Sequence, residues 1–369
     1  MSATVLVAGG VLQRAGYGGH VWVFAQWVRG LRALGHRVVF VDVAGDDVDA
    51  DLRRADAAGV LDLLGGRDGI AVVGGEARYG LSREELLRVA GEADVLVNVM
   101  GYLQDHDVLS RPRRRLFVDI DPGFGQMWHA LDLADIFDGH DAFVTVGTAI
   151  ATSRIPHCGL DWRTTLPPVH LPDWPVTPPA AGAPITSVVS WRGPFGPIEF
   201  DGMTYGLRVH EFRRFVDLPR DVEAELAIAL DIDPADGADR DALVEAGWTL
   251  LDPAVVAATP ATYQSFVQGS RAELLIAKHL YVATRGGWFS DRSACYLASG
   301  RPVIAQDTGW TQMLPSSTGL LAFDDPASAA AALADIEHRY AEHCDAARAI
   351  AEEHFDAARV LPAVLEAAG

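Results

Sequence analysis

Lysine is almost missing from this chain of 369 residues: Lys278 is the only one, and the 30 lysines and arginines together face 50 aspartates and glutamates, for a formal net charge of −20. Phosphate backbones and anionic membranes select a basic surface, so this balance argues against nucleic acid as a partner and against a lipid surface. One basic run, Arg111-Pro112-Arg113-Arg114-Arg115, departs from it and reads as a solvated turn leading into a strand. Cysteine is scarce as well. Cys158, Cys295 and Cys344 lack the paired spacing of a disulfide framework or a zinc site and suit a reducing cytoplasm. No apolar run is long enough to span a bilayer, and the amino end enters the strand-like Thr4-Val5-Leu6-Val7-Ala8 with no basic region or cleavage site, which predicts a cytoplasmic protein without membrane insertion. A Walker lysine turn, a Ser-His-Asp order and His/Cys metal spacing are also absent from the sequence, and no metal site is expected.

What remains is globular in character, with 49% hydrophobic and 22% charged residues, and long enough for two domains of ordinary size. Short apolar strands at Thr4–Ala8, Arg37–Val43, Val95–Val99, Leu116–Asp119 and Phe143–Val146 alternate with helical patterns at Val21–Leu34 and around Ala50–Leu64, the pattern of a parallel sheet covered by helices. Repeated proline from Leu171 to Pro184 interrupts it. Alternation then restarts, with strands at Ser187–Ser190, Leu226–Leu230, Trp248–Leu251, Leu274–Ala277 and Val303–Ala305. The expected fold class is therefore α/β, with two doubly wound domains: residues 1–176, a linker at 177–184, residues 185–352, and a terminal helix at 353–369 that crosses back to the first domain. Ala327–Arg339 and Asp345–Val360 read as alanine-rich helices, the second ended or kinked by Pro362.

The densest chemical signal is Arg285-Gly286-Gly287-Trp288-Phe289-Ser290-Asp291-Arg292-Ser293, a glycine turn running into the helix-like Ala294–Ser299. Unpaired amides and the positive dipole end at a helix amino terminus favour a diphosphate there, with Arg285 and Arg292 as flanking partners. The next strand opens into Gln306-Asp307-Thr308-Gly309, a polar loop at a strand's carboxyl end, where open α/β sheets hold ligands and where sugar hydroxyls can be bound. Arg192, after the first strand of the second half, is a further diphosphate candidate, and Leu251 and Asp252 are candidates for a base and ribose. In the first half, Gly9-Gly10 and Gly16-Tyr17-Gly18-Gly19 are too far apart for a dinucleotide fingerprint and suit a cleft wall. His20 begins the following helix, whose dipole keeps its imidazole neutral and able to accept a proton. Asp119-Ile120-Asp121 closes a strand, and its alternate carboxylates share a face, able to grip a metal–diphosphate pair or to face the cleft as polar groups.

These motifs together resemble the GT-B glycosyltransferases. More narrowly, Ser290 to Val303 with Gln306-Asp307-Thr308-Gly309, Asp119-Ile120-Asp121-Pro122-Gly123-Phe124 and Cys158-Gly159-Leu160-Asp161-Trp162 resemble bacterial family 1 or family 4-like glycosyltransferases over the whole chain. The resemblance implies two Rossmann-like domains facing a cleft, an acceptor site in the first and a nucleotide-sugar site in the second, and transfer without an obligatory cofactor or metal. On it, the Gly287–Ser293 amides hold the diphosphate, Gln306 and Asp307 contact the donor sugar, and His20 with Asp121 supplies the catalytic groups. The two glutamates usual in that family fall at Gly287 and Cys295, so its acidic pair is not carried over. The expected co-substrate is a UDP- or dTDP-sugar and the expected acceptor a small molecule such as a natural product; a homodimer is compatible with the sequence. The alternatives are a non-catalytic nucleotide-sugar binder and an NAD or FAD oxidoreductase, which two such domains also accommodate.

Overall fold

The computed structural model describes residues 2–74, 79–180 and 182–369; the linker residue Ala181 lies outside them. Strands β1 (Thr4–Gly9), β2 (Arg37–Val43), β3 (Ile70–Val73), β4 (Val95–Val99), β5 (Arg114–Asp119), β6 (Ala142–Thr145) and β7 (Trp162–Thr164) form a parallel sheet in the order β3-β2-β1-β4-β5-β6-β7. A second parallel sheet joins β8 (Ile185–Ser190), β11 (Leu226–Asp231), β12 (Thr249–Leu251), β13 (Ala272–Leu275), β14 (Val303–Gln306) and β15 (Leu320–Phe323) in the order β12-β11-β8-β13-β14-β15. Between β8 and β11 in sequence, β9 (Ile198–Phe200) and β10 (Met203–Tyr205) make a small antiparallel hairpin. The central strands are apolar without alternation because helices cover both faces: in β1, Val5 through Ala8 have no exposure.

Each sheet reverses its strand order once, between β1 and β4 and between β8 and β13. Connections leave in opposite directions at such a point and open a crevice at the strands' carboxyl ends. Helix α1 (Gly18–Ala33) follows β1 and buries Trp22, Phe24 and Trp27, with Phe24 edge-on to Phe40 and Trp22 against Trp174. In the second lobe α2 (Arg208–Phe212), α3 (Pro260–Gly269) and α4 (Asp291–Ala298) border the crevice.

The lobes touch through backbone as well as side chains. Gly18 N donates to Ala257 O at 2.8 Å, Trp22 Nε1 to Pro260 O at 2.9 Å, and Ala149 N to Gly286 O at 3.0 Å. Helix α5 (Ala357–Ala367) packs on α1, where a Cβ at Gly30 would fall 2.7 Å from Ala357 Cβ and 2.6 Å from Leu361 Cδ1. Pro362 does not end or kink the preceding helix as expected. The chain breaks earlier, at Asp356, whose backbone turns extended and whose carboxylate caps Ala358 N at 2.9 Å; Pro362 then sits within α5, held by the burial of Leu361 and Val364. The helical stretch expected over Ala50–Leu64 likewise divides, at the left-handed Gly59 (φ 71°). Strands β3, β7, β9, β10 and β15 were not read from the sequence.

Candidate functional site

Loops that follow β5, β8, β11, β12 and β13, together with the start of α1, enclose a cleft of ≈ 710 Å³ between the lobes. Its first-lobe wall carries Arg14, Tyr17, His20, Val23, Ile120 and Asp121. The second-lobe wall carries Arg208, Lys278, Tyr281, Trp288, Ser290, Asp291 and Arg292, with Asp231, Asp252 and Pro253 further along.

Helix α4 begins at this wall because Ser290 accepts from Arg292 N at 3.2 Å and so caps it. Arg292 leans back from the cap to pair its Nε with Oε1 of Glu273, a carboxylate without exposure, and gives Nη1 to Val188 O at 2.8 Å. Burial works against the guanidinium's charge, and Glu273 more than offsets it, holding Arg292 above the usual arginine range. Arg292 Nη2 and Glu273 Oε2 have no partner among the described residues. Arg208, the first residue of α2, is 8% exposed; among the described residues its guanidinium has one partner, Ile276 O. Burial, with repulsion from Arg292 behind it, lowers its pKa to about 9. A buried cation without a carboxylate partner, facing a cleft, calls for an anionic ligand. Asp291, the first residue of α4, is pushed up to about 6 by burial, which outweighs Arg292 beside it.

Lys278 follows β13 at the point of strand reversal. Its Nζ lies 3.0 and 3.2 Å from the Asp121 oxygens across the cleft and 3.1 Å from Tyr281 Oη. Tyr281 is stacked on Trp288, with ring centroids 4.2 Å apart. His20, in the first turn of α1, places Nε2 3.0 Å from Gly10 O, an arrangement that makes Nε2–H the donor and leaves Nδ1 unprotonated. Burial lowers its pKa to about 4, against the partial support of the Gly10 carbonyl.

Several sequence expectations change place. His20, Asp121, Asp252, Trp288, Ser290, Asp291 and Arg292 line the cleft together; Arg192, Leu251, Arg285, Gly287, Phe289, Ser293, Gln306, Asp307, Thr308 and Gly309 are not among its lining residues. Arg192 grips Asp236 with two nitrogens at 2.5 and 2.6 Å. Gln306 is fully buried, accepting from Ala277 N at 3.1 Å and donating to Glu211 at 2.8 Å. Asp307 is held by Arg285 at 2.7 Å and by Gly309 N at 2.8 Å, and Thr308 accepts from Gly287 N at 2.9 Å, so this loop braces the glycine turn from within the lobe. The two carboxylates of Asp119-Ile120-Asp121 part company because the strand ends at Asp119. Asp119 turns inward to Gln126 Nε2 (2.7 Å) and Thr145 Oγ1 (2.9 Å), and only Asp121 reaches the cleft. Arg208 and Lys278 were missed. The lone lysine directly after a strand was a readable signal for Lys278, whereas nothing local distinguishes Arg208.

No protein-family model matches the chain, and no curated protein matches it in sequence. Solved structures do. An α-glucosyltransferase in complex with UDP and a 13-mer DNA superposes with a TM-score of 0.65 at 10% identity, covering 100% of both chains. AviGT4, a glycosyltransferase involved in avilamycin A biosynthesis, gives 0.59 at 14% identity over 99% of this chain and 97% of its own. Sucrose-phosphate synthase from Thermosynechococcus elongatus gives 0.58 at 11% identity over 98% and 96%. The presence of DNA in several of these matches overturns the exclusion of nucleic acid drawn from net charge, since this architecture is found with a DNA partner. Overall charge averages a whole surface, whereas a partner meets one face of it. Two parallel sheets of seven and six strands, facing across a cleft and superposable on these enzymes over their full length, give this chain the GT-B glycosyltransferase fold.

Proposed function

We propose that the protein transfers a sugar from a nucleoside-diphosphate sugar to an acceptor held in the interlobe cleft. The observation that carries this reading is Arg208, a buried guanidinium on the cleft wall that bonds to no carboxylate among the described residues, set beside Arg292 and the capped start of α4. A diphosphate placed there gains charge-assisted bonds from both guanidiniums, and the same groups stabilise it as it leaves. UDP and UDP-glucose are bound in matching structures, which supports a nucleotide sugar as the co-substrate. His20 and Asp121 on the opposite wall face the space left for the acceptor, and His20, neutral with a free Nδ1, is the group to receive the acceptor's proton. The two guanidiniums supply the positive charge that a divalent ion would otherwise bring, so transfer is expected to need no metal. The acceptor we favour is a small molecule bearing a hydroxyl or amine, because the first-lobe wall combines Tyr17, Val23 and Ile120 with those two polar groups.

The test is thermal stabilisation by UDP, dTDP, GDP and ADP against NAD and FAD, in EDTA and in magnesium. A ligand at a hundred times its Kd adds about 2.7 kcal/mol to stability. One nucleoside diphosphate is expected to stabilise in EDTA, and the matching donor to be consumed with small-molecule acceptors. Stabilisation by NAD or FAD alone overturns the reading. Transfer to an oligonucleotide in place of small molecules would move the acceptor to DNA while keeping the donor site.

A further inference from the structure

Lys278 is the only amine side chain in the sequence, and it is tied to the opposite lobe. Both oxygens of Asp121 lie on its Nζ, and the rings of Phe124 and Tyr281 each sit 5.1 Å away, so the ammonium is aimed by an aromatic collar at one anionic position. That position is shared with the wall bearing Arg208 and Arg292. The side chains of Lys278 and Asp121 are 18% and 23% exposed, enough for a ligand to reach them from the cleft.

We propose that Asp121 and the donor's diphosphate compete for Lys278: the donor takes the ammonium, and the carboxylate is released on the acceptor side to hydrogen-bond the acceptor's hydroxyl. This rests on the donor reading above. A carboxylate brings one charge to the ammonium, whereas a diphosphate brings more and gains Arg208 and Arg292 at the same time, so the exchange runs toward the ligand. The pair thus couples occupation of the donor site to the readiness of Asp121, a positioning residue for the acceptor.

The experiment titrates the best-binding member of UDP, GDP, dTDP and ADP calorimetrically into the wild type, Lys278→Gln and Asp121→Asn. Loss of the ammonium is expected to weaken binding by about 10- to 100-fold, the scale of a charge-assisted bond. Loss of the competing carboxylate is expected to strengthen it by about 2- to 5-fold, the scale of a partly exposed ion pair. A pair that served only to hold the lobes together would weaken binding in both variants, and that result, or no change in either, overturns the exchange. If the wild type binds none of the four, the donor reading fails and takes the exchange with it. A second measurement does not depend on the variants folding. Reductive methylation with ¹³C-formaldehyde labels one side chain, Lys278, besides the terminal amine; its resonance is expected to move on adding the nucleotide, and a stationary resonance contradicts the exchange.

Discussion

Thr148 Oγ1 donates a 3.0 Å hydrogen bond across the lobe boundary to the carbonyl oxygen of Gly287. Ala149 N makes the matching bond to Gly286 O, also at 3.0 Å. The glycine turn that reads as a phosphate cradle is also where the two lobes touch, and the cleft lining begins one residue later, at Trp288. Gly287 holds φ at +80°, and a Cβ there would lie 2.5 Å from both Thr148 Oγ1 and Ala149 N.

Gly287→Ala is accordingly expected to destabilise the protein by about 2–4 kcal/mol, combining left-handed backbone strain with overpacking against backbone. Urea unfolding of the variant checks this. A midpoint equal to that of the wild type would mean that the contact between lobes gives way without cost.

Arg208→Met separates function from stability. The guanidinium is charged at pH 7.5 even with its pKa lowered to about 9, and burying that charge with no carboxylate bonded to it among the described residues opposes folding, the more distant Glu273 and Asp121 offsetting this only in part. The variant should be at least as stable as the wild type, by about 1 kcal/mol in its favour, yet bind nucleoside diphosphate about 10- to 100-fold more weakly. Joint loss of stability and binding would mark Arg208 as a packing residue instead.

His20 sets the acid limit of the reaction if it takes the acceptor's proton. With its pKa lowered from 6.5 to about 4, it stays unprotonated through neutral and mildly acid pH, and turnover should fall only as pH drops through about 4. The sign for stability agrees. The unfolded imidazole protonates first, so the folded state loses stability as pH falls from 6.5 toward 4, and none of that loss applies above 6.5. A pH–rate profile with its acid limb at 6.5, or one unchanged by His20→Gln, would remove His20 from proton transfer.

Much of the architecture was readable. Both sheets announce themselves through apolar runs such as Thr4–Ala8 and Leu226–Leu230, because strands buried on both faces need no alternation; the helix read from Ala294 begins earlier, at Asp291, where Ser290 caps it. The candidate site was readable only in part. Ser290, Asp291 and Arg292 do line the cleft, at a helix start where the backbone itself directs its amides. Gln306, Asp307 and Arg285 fall outside the cleft lining: polar residues at the ends of strands and helices serve equally well to bind a ligand or to brace a loop, and these are engaged in bracing bonds.

From the sequence alone came the α/β class, the longer strands in order, two runs of alternating strand and helix and a helix start after the glycine turn, all consequences of local periodicity and of backbone groups that need partners wherever they occur. Only the tertiary structure decided which charges meet. Asp121 and Lys278 are 157 residues apart in the chain, and the guanidinium of Arg208 meets the carbonyl oxygen of Ile276, 68 residues on and just past the end of β13. Beyond a strand's last residue no period governs where a side chain points, so the pairing of Asp121 with Lys278, and the inward turn of Asp119 beside it, follow from how two sheets are brought together across one cleft.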